Sequence, residues 1–439
     1  MQYVLGLTVS LVLIIIGIVK WRIHPFLVLI AASLLYAAVS GMSFELILDA
    51  INQGFGGVIG SIGLVIIFGV IIGTFLEHSG GAWVLADKIL GWVGHRSLYF
   101  SMILAGYIVS IPVFCDSGFV MLSALNKTLT KQAGASLAAS SGALALGLMA
   151  THVMVPPTPG PIAAAGLIGA DLGVVAVWGV LVSFLALLPC FFFLKYYAAK
   201  IPLEINLETL VSSGPKPSLI KATLPILLPI ILILAKSIAD YPTHPLGSNA
   251  LVSVIQFVGT PIIALMFGML MAFFLPKKWE QNHFSSQGWM GNALRTVAPI
   301  LLITGAGGVF GKMIQLSGMI DFLKDTFYFA GLGLLFPFCL AALLKTAQGS
   351  STVAIITTAS IVSSMLVLLG IDTELLKVLT VLAIGAGAAC ISHANDSFFW
   401  VVTQMTGMNV KQGNQVVSIG TGIFGLTAMF IIYLISFFI

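Results

Sequence analysis

Polar residues recur in register within segments apolar enough to lie in a bilayer, and no other feature limits the fold of this chain so strongly. Gly69, Gly73, Ser79 and Gly80 return 238 residues later as Gly307, Gly311, Ser317 and Gly318. Cys115-Asp116-Ser117-Gly118-Phe119 aligns with Gly349-Ser350-Ser351-Thr352-Val353 at a shift of 234, and Thr151-His152 with Ser392-His393 at 241. Matches at nearly one offset imply two copies of one unit, each with interrupted apolar stretches. Hydrocarbon offers no partners to free backbone groups, so such breaks survive only where protein or a water-filled cavity satisfies them. Broken segments in corresponding positions of two halves point to a secondary transporter with its substrate between the repeats.

Composition agrees. The 439 residues are 59% hydrophobic and 8% charged, against roughly 25% charged in soluble domains. At about 20 apolar residues per crossing, roughly twelve stretches or half-stretches qualify. They fall near 2–19, 25–40, 57–76, 97–113, 134–151, 172–194, 222–238, 251–275, 294–314, 327–344, 376–391 and 414–438. Shorter apolar pieces at 117–125, 160–170, 351–370 and 396–405 read as re-entrant arms or half-helices. The first stretch lacks a basic leader and a small-residue cleavage site, and reads as a retained helix.

Loop charges set the orientation. Lys20 and Arg22, Lys88 and Arg96, the central lysines Lys195, Lys200, Lys216 and Lys221, and Lys277, Lys278 and Arg295 fit one cytoplasmic face. Residues 41–55, with Glu45 and Asp49, and the loop 239–250 then lie outside. Segment 57–76 runs inward and its counterpart 294–314 runs outward, so the copies are inverted. The expected fold class is an all-α polytopic membrane protein: two inverted repeats with re-entrant hairpins and broken transmembrane helices. The polar, proline-bearing stretch 195–221 reads as a cytoplasmic linker between repeats at 1–194 and 222–439.

Several function classes find no support. The net charge of +4 is mostly loop lysine and implies no nucleic-acid partner. Cys115, Cys190, Cys339 and Cys390 lack CxxC spacing and read as small buried hydrophobes. There is no nucleophile elbow, HExxH or Cys/His metal spacing, so neither a metal nor a cofactor is expected. The run Gly54, Gly56, Gly57 and Gly60 has no P-loop lysine and fits close helix packing.

Only Asp116, Lys345 and Asp396 fall at membrane depth, with Glu77 and Lys312 nearer segment ends. A charge at a helix centre costs about 2.5–3.5 kcal/mol on insertion scales and marks a site by default. Asp116 follows Pro112, which ends the preceding helix, and precedes Gly118, which lets the backbone turn or approach a ligand. This reads as a hairpin tip. The matching segment runs from Lys345 through Gln348, Gly349, Ser350, Ser351 and Thr352. A helix starting there would offer free N–H groups and a positive dipole end to an anion. Lys345 adds a full charge, as counter-ion to a carboxylate or by snorkelling to the interface. The second break in each half holds His152 before Pro156-Pro157-Thr158-Pro159-Gly160-Pro161, and His393-Ala394-Asn395-Asp396. A histidine has an unperturbed pKa near 6.5 and can carry a coupling proton, or it can rest neutral on a carbonyl. Asp116, Asp396, His152 and His393 are the candidate coupling-ion groups; Asp396 alternatively pairs with Lys345. The candidate substrate-binding residues are Asp116, Ser117, Gly118, Lys345, Gln348, Gly349, Ser350, Ser351, Thr352 and Asn395.

These motifs resemble the gluconate permease (GntP) family of the ion transporter superfamily. The resemblance covers nearly the whole chain and is strongest at Phe114–Met121, His152–Pro161, Gly349–Ala354 and Ser392–Trp400. It implies a bacterial inner-membrane carrier importing sugar acids and related hydroxy acids with protons. It further implies a scaffold, a moving transport domain and a homodimer. This chain has Asp116-Ser117-Gly118-Phe119 where gluconate carriers have Glu-Val-Gly-Phe, Lys345 for Arg, and Ser351 for Ala. Lys is a point charge, whereas Arg grips a carboxylate bidentately. A shorter acid and more hydroxyls point to a smaller acid such as glycerate.

The resulting expectation is symport of a small organic-acid anion with a proton or sodium, in a lipid environment. An intramembrane acid/base enzyme, a channel and an exporter are the alternatives. If the orientation is right, single cysteines at Asp49 and Lys216 should label from opposite sides of the membrane. Labelling of both from one side would overturn it.

Overall fold

The computed structural model describes residues 2–93, 98–204, 216–239, 249–319, 333–393 and 396–438. The first half holds α1 (Gln2–Val19), α2 (Pro25–Val39), α3 (Phe44–His78), α4 (Gly81–Val93) and α5 (Leu98–Val109), then α6 (Cys115–Gln132), α7 (Leu137–Met154), α8 (Pro159–Ile168) and α9 (Leu172–Tyr196). The second holds α10 (Leu219–Ala239), α11 (Ala250–Val258), α12 (Pro261–Ala272), α13 (Gln281–Phe284) and α14 (Trp289–Leu316). It continues with α15 (Leu335–Gln348), α16 (Ser351–Ser363), α17 (Glu374–Ala389), α18 (Ser397–Thr406), α19 (Val410–Gly413) and α20 (Ile419–Ser436). Among the described residues six helices are long and apolar enough to cross a membrane, or seven if the pair α11–α12, bent by 66°, counts as one span. The bend sits at Gly259-Thr260-Pro261, where proline opens the second helix.

The repeat seen in the sequence is a repeat of elements. Helix α3 corresponds to α14, the hairpin α5–α6 to α15–α16, the broken pair α7/α8 to α17/α18, and α9 to α20. Ser79 and Ser317 cap the C-termini of α3 and α14. Gly80 and Gly318 follow them at φ 76° and 81°, a left-handed turn that costs glycine nothing. The corresponding helices α3 and α14 run antiparallel. A Cβ on Gly54 would meet Gly308 and Val309, one on Gly63 faces Leu301, and Phe75 lies on Trp289. As residue numbers rise along one helix they fall along the other, as inversion of the two copies requires.

The helix α7 is wholly buried, ringed by α5, α6, α9, α17 and α20. The termini follow local rules. Ser136 accepts from Ala139 N at 3.4 Å to start α7, and Asp171 accepts from Val174 N at 2.8 Å to start α9.

Ser43 caps α3, and Glu45 and Asp49 lie exposed on its first turns. Two expectations are corrected. Cys339 is exposed, while Cys115, Cys190 and Cys390 are buried. Of the glycine run only Gly54 is a packing glycine; Cβ atoms on Gly56, Gly57 and Gly60 would meet nothing within 4 Å. In the central linker, residues 205–215 lie outside the described residues, and Ala198–Lys200 forms a single 3₁₀ turn.

Gly54 therefore separates packing from propensity. A Cβ there would lie 2.6 Å from the Gly308 carbonyl oxygen, and overpacking of this kind costs about 1–3 kcal/mol. Gly54→Ala should lower the melting midpoint in detergent. Gly57→Ala should hold or raise it, since alanine gains about 1 kcal/mol of helix propensity. Equal shifts in the two variants would refute the close α3–α14 contact.

Candidate functional site

Three helix starts converge on one cavity. The α5–α6 turn is closed by Ser110 Oγ donating to the Val113 carbonyl at 2.9 Å, and α6 begins at Cys115 with no side-chain cap. The α15–α16 turn needs a left-handed residue, supplied by Gly349 at φ 77°. Ser350 then caps α16, accepting from Val353 N at 3.4 Å. Asp396 caps α18, its Oδ1 accepting from Phe398 N at 3.1 Å. Residues 114–116, 350–353 and 396–398 line a cavity of about 200 Å³, closed on another side by Thr296, Pro299, Ile300 and Ile303 of α14. N-terminal turns carry unpaired N–H groups and roughly half a positive charge each, which suits an anion.

Behind the cavity wall lies a buried ion pair. Lys345 is 1% exposed, and its Nζ donates to Asp396 Oδ2 at 2.5 Å. Ser392 Oγ donates to the same oxygen. Ser392 is itself clamped: its N–H donates to Thr421 Oγ1 at 2.9 Å, and Ser418 Oγ donates to its carbonyl at 2.5 Å. Ser418 ends the π-helical turn Asn414–Ser418 that leads into α20. Single π turns inside helices recur at functional sites. The pair overturns the snorkelling alternative for Lys345. It also places Lys345 one step back: Asp396 reaches the cavity, and Lys345 holds Asp396.

Asp116 is the less committed carboxylate. It is half-buried on the cavity wall, and Ser397 Oγ donates to its Oδ1 at 3.3 Å. Cys115 Sγ lies 3.8 Å from its Oδ2. His152 also reaches the cavity. Its Nε2 lies 3.3 Å from Thr352 Oγ1, its ring packs 5.7 Å from that of Phe114, and its buried Nδ1 has no partner. Ser351 Oγ points to Met149 Sδ at 3.7 Å.

The structure thus brings together Asp116, His152, Ser350, Ser351, Thr352 and Asp396, with Lys345 behind and Gly349 at the turn. It does not bring in the others. Gly118 lies inside α6 against Leu148, so it serves packing and not a turn. Ser117 is off the wall. His393 Nε2 lies 3.0 Å from the Thr346 carbonyl, at the neck of the hairpin and off the cavity. Asn395 and the side chain of Gln348 lie outside the described residues. Sequence reasoning missed Ser397, Thr296, Ser418 and Thr421. The last two were signalled by the polar run Asn414-Gln415, Ser418 and Thr421 in an otherwise apolar final span.

Breaking the pair should be costly. Removing one partner of a buried ion pair leaves an uncompensated charge, worth about 3–5 kcal/mol. Lys345→Met should therefore melt well below the unmodified protein in detergent. Lys345→Met combined with Asp396→Asn should recover much of that loss while leaving transport abolished. Identical melting of the single and double variants would mean that the pair does not support the fold.

A family model described as GntP family permease matches residues 2–438. The chain is 34% identical over 418 residues to a gluconate permease of Pseudomonas aeruginosa, covering 92% of this chain and 91% of that one. It is 33% identical over 448 residues to the D-serine transporter DsdX of Escherichia coli, covering 99% and 98%. The crystal structure of the Alcanivorax borkumensis YdaH transporter superposes with a TM-score of 0.67 at 16% identity, over 94% of this chain and 98% of that one, and shares the fold.

Proposed function

This chain belongs to the GntP permease family of bacterial inner-membrane proteins, and on that premise we propose that it imports a small hydroxy-acid anion, glycerate-like in size, together with a proton. The observation that carries this reading is the cavity where the starts of α6, α16 and α18 meet two carboxylates backed by one ammonium. At about 200 Å³ it is smaller than the 300–1,000 Å³ usual for larger ligands. Ser350, Ser351 and Thr352 supply hydroxyls for a substrate's own hydroxyls. Each repeat, 1–194 and 222–439, contributes one hairpin and one break.

Charge balance supports the coupling. With Asp116 and Asp396 ionised against Lys345 alone, the site is already negative, and the helix starts offset this only in part. A substrate carboxylate adds to the imbalance, and a proton on one carboxylate relieves it. Asp396 is held by Lys345, Ser392 and the Phe398 N–H. Asp116 has only Ser397 and the weak thiol donor Cys115, so Asp116 takes the proton. Joint occupancy then permits the inward–outward movement of the transport domain.

A second reading has one observation behind it. Asp116, short of donors, also suits the ammonium of a small amino acid, and a relative transports D-serine. Such a zwitterion brings its own balancing charge.

Uptake of labelled D-glycerate, D-gluconate and D-serine into proteoliposomes, with and without an inward proton gradient, separates these readings. Saturable glycerate uptake driven by the gradient is the expected result, and Asp116→Asn should lose the stimulation by the gradient. Gradient-driven uptake retained in Asp116→Asn would move the proton elsewhere. Uptake of D-serine alone would establish the second reading.

A further inference from the structure

A second cavity, of about 310 Å³, lies toward the far ends of α14 and α16 and holds Lys312, which the central site does not use. Its wall includes Lys312 and Gln315 of α14, Gln53 and Gly57 of α3, and Ser363 with Ser364 at the end of α16. Lys312 is half-buried and has no ion pair among the described residues. Gln53 and Gln315 are exposed at the mouth. The loop charges place this end of α14 on the outer side, where a lysine runs against the usual bias. Its counterpart at the 238-residue offset is Thr74, so the repeat itself does not call for a cation here.

The two cavities share a seam. On α14, Ile300 and Ile303 line the central cavity, while Gly308, Gly311 and Lys312 line the outer one. From residue 300 to 311 a helix advances about 16 Å. On α16, Val353 lines the central cavity and Ser364, just past its end, lines the outer one. Thr357 and Ser360 fall between them at the spacing of a single helix face. Ser360 seats on Gly307 and closes the seam. Thr357 keeps a buried hydroxyl with no partner, and a buried polar group of that kind calls for a water, an ion or a second conformation. The seam between the cavities is thus polar and built on glycine, and its outer end carries a positive charge.

We propose that Lys312 and the cavity around it form a second anion site, which admits the substrate carboxylate from outside before it reaches the central cavity. The identity of that anion rests on the function proposed above; the preference of the cavity for negative charge does not. Lys312 draws the carboxylate in, the amides of Gln53 and Gln315 offer donors, and opening of the Ser360–Gly307 contact passes it inward.

Ser364→Cys tests the site without transport. Its reaction with membrane-impermeant anionic and cationic methanethiosulfonates, followed at that residue by mass spectrometry, gives a rate ratio. Lys312→Gln should lower the anionic-to-cationic ratio by about three- to tenfold, the order expected for a unit charge within about 7 Å in water, and Lys312→Arg should preserve it. An unchanged ratio in Lys312→Gln would overturn the anion site, whatever the substrate proves to be. In proteoliposomes, Lys312→Gln with Ser364 intact should raise the KM for labelled D-glycerate several-fold at unchanged maximal rate, and added salt should shrink the difference. A fall in maximal rate at constant KM would overturn the recruiting role. Absence of glycerate uptake by the unmodified protein would instead strike the proposed substrate, with the modification ratio still deciding the site.

Discussion

The buried pair between Lys345 and Asp396 is the constraint around which the central site is arranged. Two charges taken out of water cost several kcal/mol each, and their attraction repays this only with good geometry and further hydrogen bonds. The structure supplies both. Asp396 accepts from Lys345, Ser392 and the first turn of α18, and Ser392 is fixed by Ser418 and Thr421 at the start of α20. Hairpin, break and final helix are thereby tied into one polar network. A polar network in a low-dielectric interior is worth having only when nearly all its members are satisfied. In the central site the notable exception is His152 Nδ1, which is buried without a partner.

The helix starts follow from the same constraint. A helix that ends inside the membrane leaves backbone groups that lipid cannot satisfy. Pointing three such starts at one cavity turns that cost into a binding surface for negative charge. The carboxylates of Asp116 and Asp396 occupy part of that surface already, one on the first turn of α6 and one as the cap of α18. An incoming carboxylate competes with them, and this competition links anion binding to a proton in the proposed mechanism.

The sequence disclosed what depends on local backbone chemistry. The Ser-Gly pairs at 79–80 and 317–318 end corresponding helices because glycine alone turns left-handed without penalty, so their recurrence marked the repeat. The prolines at 156–161 and the polar runs at 345–352 and 392–397 marked the breaks for the same reason. What depends on three-dimensional partners stayed hidden. Lys345 lies 51 residues from Asp396, and nothing local decides whether it pairs, snorkels or meets a ligand. His152 and His393 occupy matching positions, yet one reaches the cavity and the other rests on the Thr346 carbonyl. Gly54 and Gly57 read alike in sequence, but only Gly54 faces the backbone of α14.

The two repeats share a backbone and divide the chemistry. The first supplies Asp116 and His152, and the second supplies Lys345, Ser392 and Asp396, so neither copy alone makes a balanced site. Helices α3 and α14 are locked together by close backbone contact at Gly54 and Gly308. One wall of the central cavity belongs to α14 and the others to the tips of the hairpins and breaks. A ligand held there lies across the boundary between the locked pair and the tips. In the proposed inward–outward movement, sliding at that boundary would move small groups past one another, Ser360 on Gly307 and Pro112 on Gly73, with glycine at each contact. The Lys345–Asp396 pair lies wholly among the tips, so the proposed movement would carry the buried charges as a neutral unit.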